Sequence, residues 1–220
     1  MSPTRNYSRA LALGSRGFTL VELLVATSIA MVLIAGMLSS YLFLGRNLVR
    51  DTNRQQLEAQ SRNMLQTFAR DVGVADRIAG AYNSADDITS DSSWQTMPTS
   101  SQAVFRMSAP NGSGGTYRYA VTYAYDPNAD TVTRVVSSGL NSGIPPSNFN
   151  ANNLVLLMHA SSFSFNYLDR AANTASNQLG IKQIEVASFT LTNGTATTGT
   201  QSTFTGASGR LVLRNQHLVN

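Results

Sequence analysis

From Phe18 to Leu44 nearly every position is apolar, and Glu22 is the one charge in the run. As a helix this run would be about 40 Å long. That exceeds the ~30 Å hydrocarbon layer of a bilayer, and residues 18–44 are predicted to span a membrane. An ordinary cleaved signal has a shorter apolar core, about 7 to 15 residues, followed by a small-residue site, and does not fit. From Gly45 to about Ala79 polar residues return, yet Leu57, Met64, Leu65, Phe68, Val72 and Ala75 keep the spacing of one helix face. The helix is therefore expected to continue as an amphipathic stretch over residues 45–80. Arg54, Glu58, Arg62, Gln66 and Arg70 fall on its other faces, with Glu58 and Arg62 in the favourable i, i+4 order. They read as a solvated face opposite a core-packing stripe.

After the helix the period changes. Asn83 to Ser101 is rich in Ser, Asp and Thr, contains Pro98 and has no period, so it reads as a loop that Trp94 pins down. Ala103 to Met107 is a short strand candidate, followed by the turn from Pro110 to Gly115. Thr116 to Tyr125 alternates cleanly, with Tyr117, Tyr119, Val121, Tyr123 and Tyr125 on one face and Arg118, Ala120, Thr122 and Ala124 on the other. Thr131 to Ser137 pairs with it through the Asp126 to Asp130 turn as a hairpin. Leu154 to His159, Ser162 to Leu168, Gln183 to Leu191 and Arg210 to Leu213 are further strands. Thr192 to Gly209, dominated by Thr, Gly and Ser, is expected to be a mobile loop that buries little. With no helical period between the strands the sheet should be antiparallel. The fold class is α+β: a long N-terminal helix, membrane-spanning in its first half, packed on an antiparallel β-sheet domain over residues 81–220.

Composition narrows this picture. The 220 residues suffice for one anchored domain with a real core. Cysteine is absent, which removes disulfides, thiolate nucleophiles and Cys-based metal sites. The formal charge of +4 arises largely from Arg5, Arg9 and Arg16 ahead of the apolar run; the remaining basic residues are scattered, so no nucleic-acid footprint is present. Those arginines favour a cytoplasmic N-terminus, but Arg46, Arg50 and Arg54 follow the span, and charge alone leaves the orientation open.

Most constellations that could carry chemistry fail on inspection. Asp126, Asn128 and Asp130 open like a calcium-binding loop, but Thr131 stands where the turn glycine belongs and Ser137 where the bidentate Glu should be. A tyrosine platform for nucleic acid is disfavoured because Arg118 points to the opposite face, leaving core packing as the better reading. His159 and His217, the only histidines, have no acidic or thiol companions nearby in sequence. The Gly112 to Gly115 cluster lacks the Lys and Ser/Thr of a phosphate loop, and no G-x-S-x-G elbow occurs. Nothing here supports an enzyme, a metal or a cofactor.

Glu22 stands apart, because a carboxylate in a membrane segment costs roughly 3 kcal/mol on insertion scales. The stretch Gly17-Phe18-Thr19-Leu20-Val21-Glu22-Leu23-Leu24-Val25-Ala26 resembles the processing and assembly motif of type IV prepilins and type II secretion pseudopilins. The resemblance implies a leader of residues 1–17, cleavage between Gly17 and Phe18 by a membrane-embedded prepilin peptidase, and methylation of the Phe18 amine. It also implies an assembly role for Glu22, paired with the N-terminal amine of a neighbouring subunit. Gly17 offers no side chain to obstruct a protease at the bilayer surface. Cleavage would leave an ammonium at Phe18 one helical turn from Glu22, where opposite charges attract strongly in low dielectric.

The expected partners are thus the prepilin peptidase, other pilin or pseudopilin subunits bound through the N-terminal helix, and an inner-membrane assembly platform. The expected location is the bacterial inner membrane, with a cytoplasmic leader and a periplasmic domain, and then a pilus or pseudopilus. The ending "LVLRNQ" and the stretch "VTYAYDPNADTVTRVV" resemble W-type minor pilins and J-type pseudopilins. A minor pilin of a type IV pilus is the first reading, a J-like pseudopilin of a type II secretion system the alternative. A membrane-tethered binding domain that never polymerises is the rival from another class, and an anchored enzyme comes third. Asn111-Gly112-Ser113 and Asn193-Gly194-Thr195 match the glycosylation sequon but are discounted, since the motif is bacterial or archaeal in character.

Overall fold

The computed structural model describes residues 17–81, 94, 96–110, 115–137, 153–194 and 196–213. Outside them lie the leader arginines, most of the loop carrying Trp94, positions 111–114 with the first sequon, Thr195 of the second, and His217. The chain divides into two units, Met1–Gly45 and Arg46–Asn220. The first contributes the apolar part of helix α1 (Leu20–Val74), and the second contributes the rest of α1 and every strand.

In the second unit the helix buries Leu57, Ser61, Met64, Phe68, Asp71 and Val72, a stripe with steps of three and four. The helix ends at Val74, six residues short of its expected end at 80. Ala75 keeps the apolar register but belongs to strand β1 (Ala75–Ala79), because pairing with β2 (Gln102–Pro110) satisfies a backbone that Gly73 and Val74 are poor at keeping helical. Strands β1, β2, β3 (Thr116–Asp126), β4 (Thr131–Ser137) and β5 (Leu154–Met158) form one antiparallel sheet in that order. In the second sheet β6 (Ala160–Leu168) pairs with β7 (Gln183–Asn193), which also pairs with β8 (Ser202–Gly206) and β9 (Leu211–Val212), all antiparallel. The architecture is α+β, as the patterning predicted.

Between the sheets the chain turns at His159, whose φ of 62° cannot continue a strand. His159 was expected to close β5. Instead Ala160 N–H donates to the Asp130 carbonyl at 2.8 Å and starts the second sheet. The Thr/Gly-rich segment needs a larger correction. It does bury little, Ser202 being its one buried residue among those described, but it contains β8, and the Ser202 Oγ donates to the Arg50 carbonyl at 2.7 Å. Composition concealed this strand because its pairing to β7 is made by backbone groups.

Helix and sheets share one core. The Phe68 ring meets Phe105 and Tyr123 edge-on, with centroids 5.8 and 5.2 Å away, and stacks on Phe165 at 5.5 Å. Both sheets therefore close on a single helix residue. Tyr119, Val121 and Tyr123 are buried on the helix-facing side of β3, which confirms core packing for that face. On the other side Trp94, fully buried, packs with Ala79, Val104 and Ala120.

Candidate processing and assembly site

Thr19 is the residue before the first helical position, and Glu22 lies in the first turn. The Glu22 N–H donates to Thr19 Oγ1 at 3.3 Å, while Glu22 Oε2 accepts from both the N–H and the hydroxyl of Thr19, each at 2.9 Å. This reciprocal pairing is a capping box. It satisfies donors that the start of a helix would otherwise leave unpaired, and the negative charge complements the helix dipole. Glu22 thus has a local structural role in addition to any role in assembly. Both accepted bonds fall on Oε2, so Oε1 is open to another donor among the described residues. Sequence reasoning singled out Gly17, Phe18 and Glu22 but missed Thr19, although the T-x-x-E spacing was there to be read.

The two residues that flank the expected cut are exposed. Phe18 is 86% exposed, and a Cβ built on Gly17 would meet nothing within 4 Å. The fold itself does not require glycine at position 17.

Beyond the cap the run is lipid-compatible. One helix is long and apolar enough to cross a membrane, and none of its apolar window is buried within the chain. Its hydroxyl groups are largely answered internally: Thr27 Oγ1 and Ser28 Oγ donate to the Leu24 carbonyl at 3.0 and 2.8 Å, and Ser40 Oγ donates to the Gly36 carbonyl at 3.0 Å. In hydrocarbon such back-bonding removes the penalty of an unpaired polar group.

The other candidates go elsewhere. Asp126 Oδ1 accepts from the N–H groups of Asn128 and Ala129 at 2.8 and 3.3 Å, and so closes the β3–β4 turn rather than presenting a ligand loop. No group of three or more His, Cys, Asp or Glu able to hold a metal occurs among the described residues.

Comparison with known proteins adds one finding. The model of the prokaryotic N-terminal methylation motif matches residues 13–38, which include the cap, the expected cut and most of the apolar run. No curated protein matches the chain. The chain thus carries a prepilin-type signature, and that signature sits on the capped start of an exposed helix long and apolar enough to cross a membrane.

Proposed function

We propose that the chain is a minor pilin or pseudopilin subunit, cut by a prepilin peptidase between Gly17 and Phe18 and methylated on the Phe18 amine. It then assembles through its N-terminal helix into a type IV pilus, as an initiating, tip or minor component. The leader lies in the cytoplasm and the sheet domain in the periplasm. An inner-membrane platform draws subunits into the filament, and the work done is mechanical rather than enzymatic.

The observation that carries this reading is the state of Glu22. Its Oε2 is held by Thr19 while Oε1 is open among the described residues, so the carboxylate is oriented by its own helix and can still accept from the amine of a second subunit. In low dielectric that contact offsets the cost of keeping the charge in the membrane. Gly17 supports the reading too, because nothing in the fold needs a glycine there and a peptidase does. The large cysteine-free domain favours a minor component over a major pilin.

Mass spectrometry of the N-terminal peptide, from membranes and from sheared surface filaments, tests the proposal. A peptide starting at N-methylated Phe18 in both fractions is the expected result. The same peptide in membranes alone, together with loss of an exported enzyme in a deletion strain, would assign the chain to type II secretion as a J-like pseudopilin. An unprocessed start would leave a tethered domain that does not polymerise and overturn the proposal.

A further inference from the structure

Asn47, Arg50, Asp51 and Arg54 stand at i, i+3, i+4 and i+7, so one face of α1 carries two guanidiniums, a carboxylate and an amide. Ser202 and Thr203 of β8 stand over the same face and enclose with it a cleft of about 350 Å³. This wall is fixed in place. Ser202 Oγ donates to the backbone carbonyl of Arg50, and Asn53 Nδ2 donates to the Thr200 carbonyl at 3.1 Å. Neither bond uses the charged heads in the cleft. Arg50 and Asp51 have no ion-pair partner among the described residues. Arg54 reaches Glu58 at 3.3 Å, but its side chain is 68% exposed, so the pair is screened and holds it weakly.

Charges of both signs in one small cleft select a ligand that also carries both. Two arginines one turn apart provide planar donor forks matched to a phosphate. Asp51 between them accepts from a primary ammonium, while Asn47, Ser202 and Thr203 supply neutral hydrogen-bonding groups. A phosphodiester joined by a short linker to a primary amine has this pattern, and it is the headgroup of an aminophospholipid. Inorganic phosphate shares only the anionic half. The position in the chain agrees, since Arg50 follows Leu44 by six residues and even fully extended chain would span only about 20 Å.

We propose that this cleft binds the headgroup of one aminophospholipid, its phosphate on Arg50 and Arg54 and its amine on Asp51. The proposal rests on membrane anchoring of the apolar run and is independent of cleavage and assembly.

Native mass spectrometry of the full chain in a nonionic detergent tests it, with phosphatidylethanolamine, phosphatidylcholine, phosphatidylglycerol or inorganic phosphate added. One retained phosphatidylethanolamine is expected, held about tenfold more strongly than phosphatidylcholine or phosphatidylglycerol. The Arg50→Gln/Arg54→Gln variant should lose that retention by about tenfold, and Asp51→Asn should abolish the preference for the primary amine. Both variants keep the backbone bond from Ser202, and unchanged circular dichroism verifies their folding. Glu22→Ala should retain the lipid as wild type does, so a failure of the filament reading stays distinguishable from a failure here. Equal retention by the arginine variant, no headgroup preference, or displacement of the lipid by millimolar phosphate would each overturn the proposal.

Discussion

Arg134 Nε lies 2.6 Å from Asp71 Oδ2, with the two side chains 4% and 1% exposed, and this contact joins β4 to the helix inside the core. The Tyr123 hydroxyl donates to the same Oδ2 at 2.7 Å, and Arg70 Nε approaches Oδ1 at 3.6 Å. Burial works against the charge on Arg134, but the hydrogen bond and charge of Asp71 outweigh it and hold the guanidinium above its usual value. A buried pair of this kind contributes little net stability but is costly to break. Asp71→Asn or Arg134→Met alone should lose about 3–5 kcal/mol. Replacing the group together, as Asp71→Leu, Tyr123→Phe and Arg134→Met, should recover most of that loss. Urea unfolding in nonionic detergent, followed through the fluorescence of the single tryptophan, Trp94, measures both. Additive losses across the three sites would refute the coupling.

Alkaline pH should weaken the sheet domain through its buried tyrosines. Burial raises the Tyr123 hydroxyl well above its ordinary value, and the Asp71 charge and hydrogen bond push it the same way. Burial alone raises Tyr167, whose hydroxyl donates to the carbonyls of Thr99 and Gln102 at 2.9 and 3.0 Å. A raised folded-state value means that the native state keeps its proton after the unfolded chain has lost it. The stabilisation is therefore complete below about pH 10 and is lost as pH rises beyond it, at about 1.4 kcal/mol per pH unit for each group. Unfolding free energy recorded from pH 8 to 12 should fall above pH 10. Tyr167→Phe should flatten that fall whatever it costs at neutral pH, and an unchanged slope would contradict the assignment.

Two glycines should respond to alanine with opposite signs. Gly80 follows β1 with its N–H donating to the Thr96 carbonyl at 2.8 Å, and an added Cβ would stand 2.0 Å from the Met97 carbonyl oxygen. That neighbour is backbone and cannot swing away, so Gly80→Ala should cost about 1–3 kcal/mol or more. Gly73 sits in the helix with nothing within 4 Å of its missing Cβ. Gly73→Ala should stabilise by about 0.5–1 kcal/mol. Midpoints from the same urea titration check both.

These sites also mark what local pattern can and cannot convey. The stripe from Leu57 to Val72 and the alternation from Tyr117 to Tyr125 were legible because each repeats the period of its own element. Arg134 shares the inward face of β4 with Val132 and Val136, and that parity was visible in sequence. Its partner Asp71 is 63 positions away, and only the tertiary fold brings the two together. Strands β1 and β8 were missed for a related reason: Ala75 fits a helical register and Ser202–Gly206 reads as loop, and both become strands because a neighbour offers an edge. At the N-terminus Gly17, Phe18 and Glu22 were legible as a motif, and the Thr19 cap was there to be read, because all four lie within six consecutive residues. The charged cleft formed by β8 over the helix was not legible, since its two walls are separated by about 150 residues.

Glu22 combines a cap and a charge, and the two roles can be separated by substitution. Glutamine serves as well as glutamate in a capping box, so Glu22→Gln keeps the bond to the Thr19 N–H but removes the charge that would meet an ammonium. Thr19→Ala does the reverse, removing the hydroxyl that Glu22 N–H and Oε2 both use and leaving the carboxylate intact. Loss of such a cap costs about 0.5–2 kcal/mol of helix stability, a modest sum for a long helix. If ion pairing with a neighbour drives assembly, Glu22→Gln should leave the chain in the membrane fraction and remove it from sheared filaments, whereas Thr19→Ala should still be incorporated. If the carboxylate matters only as a cap, the order reverses, with Glu22→Gln assembling normally and Thr19→Ala failing. Quantifying each variant in the two fractions, at matched expression, decides between charge and cap.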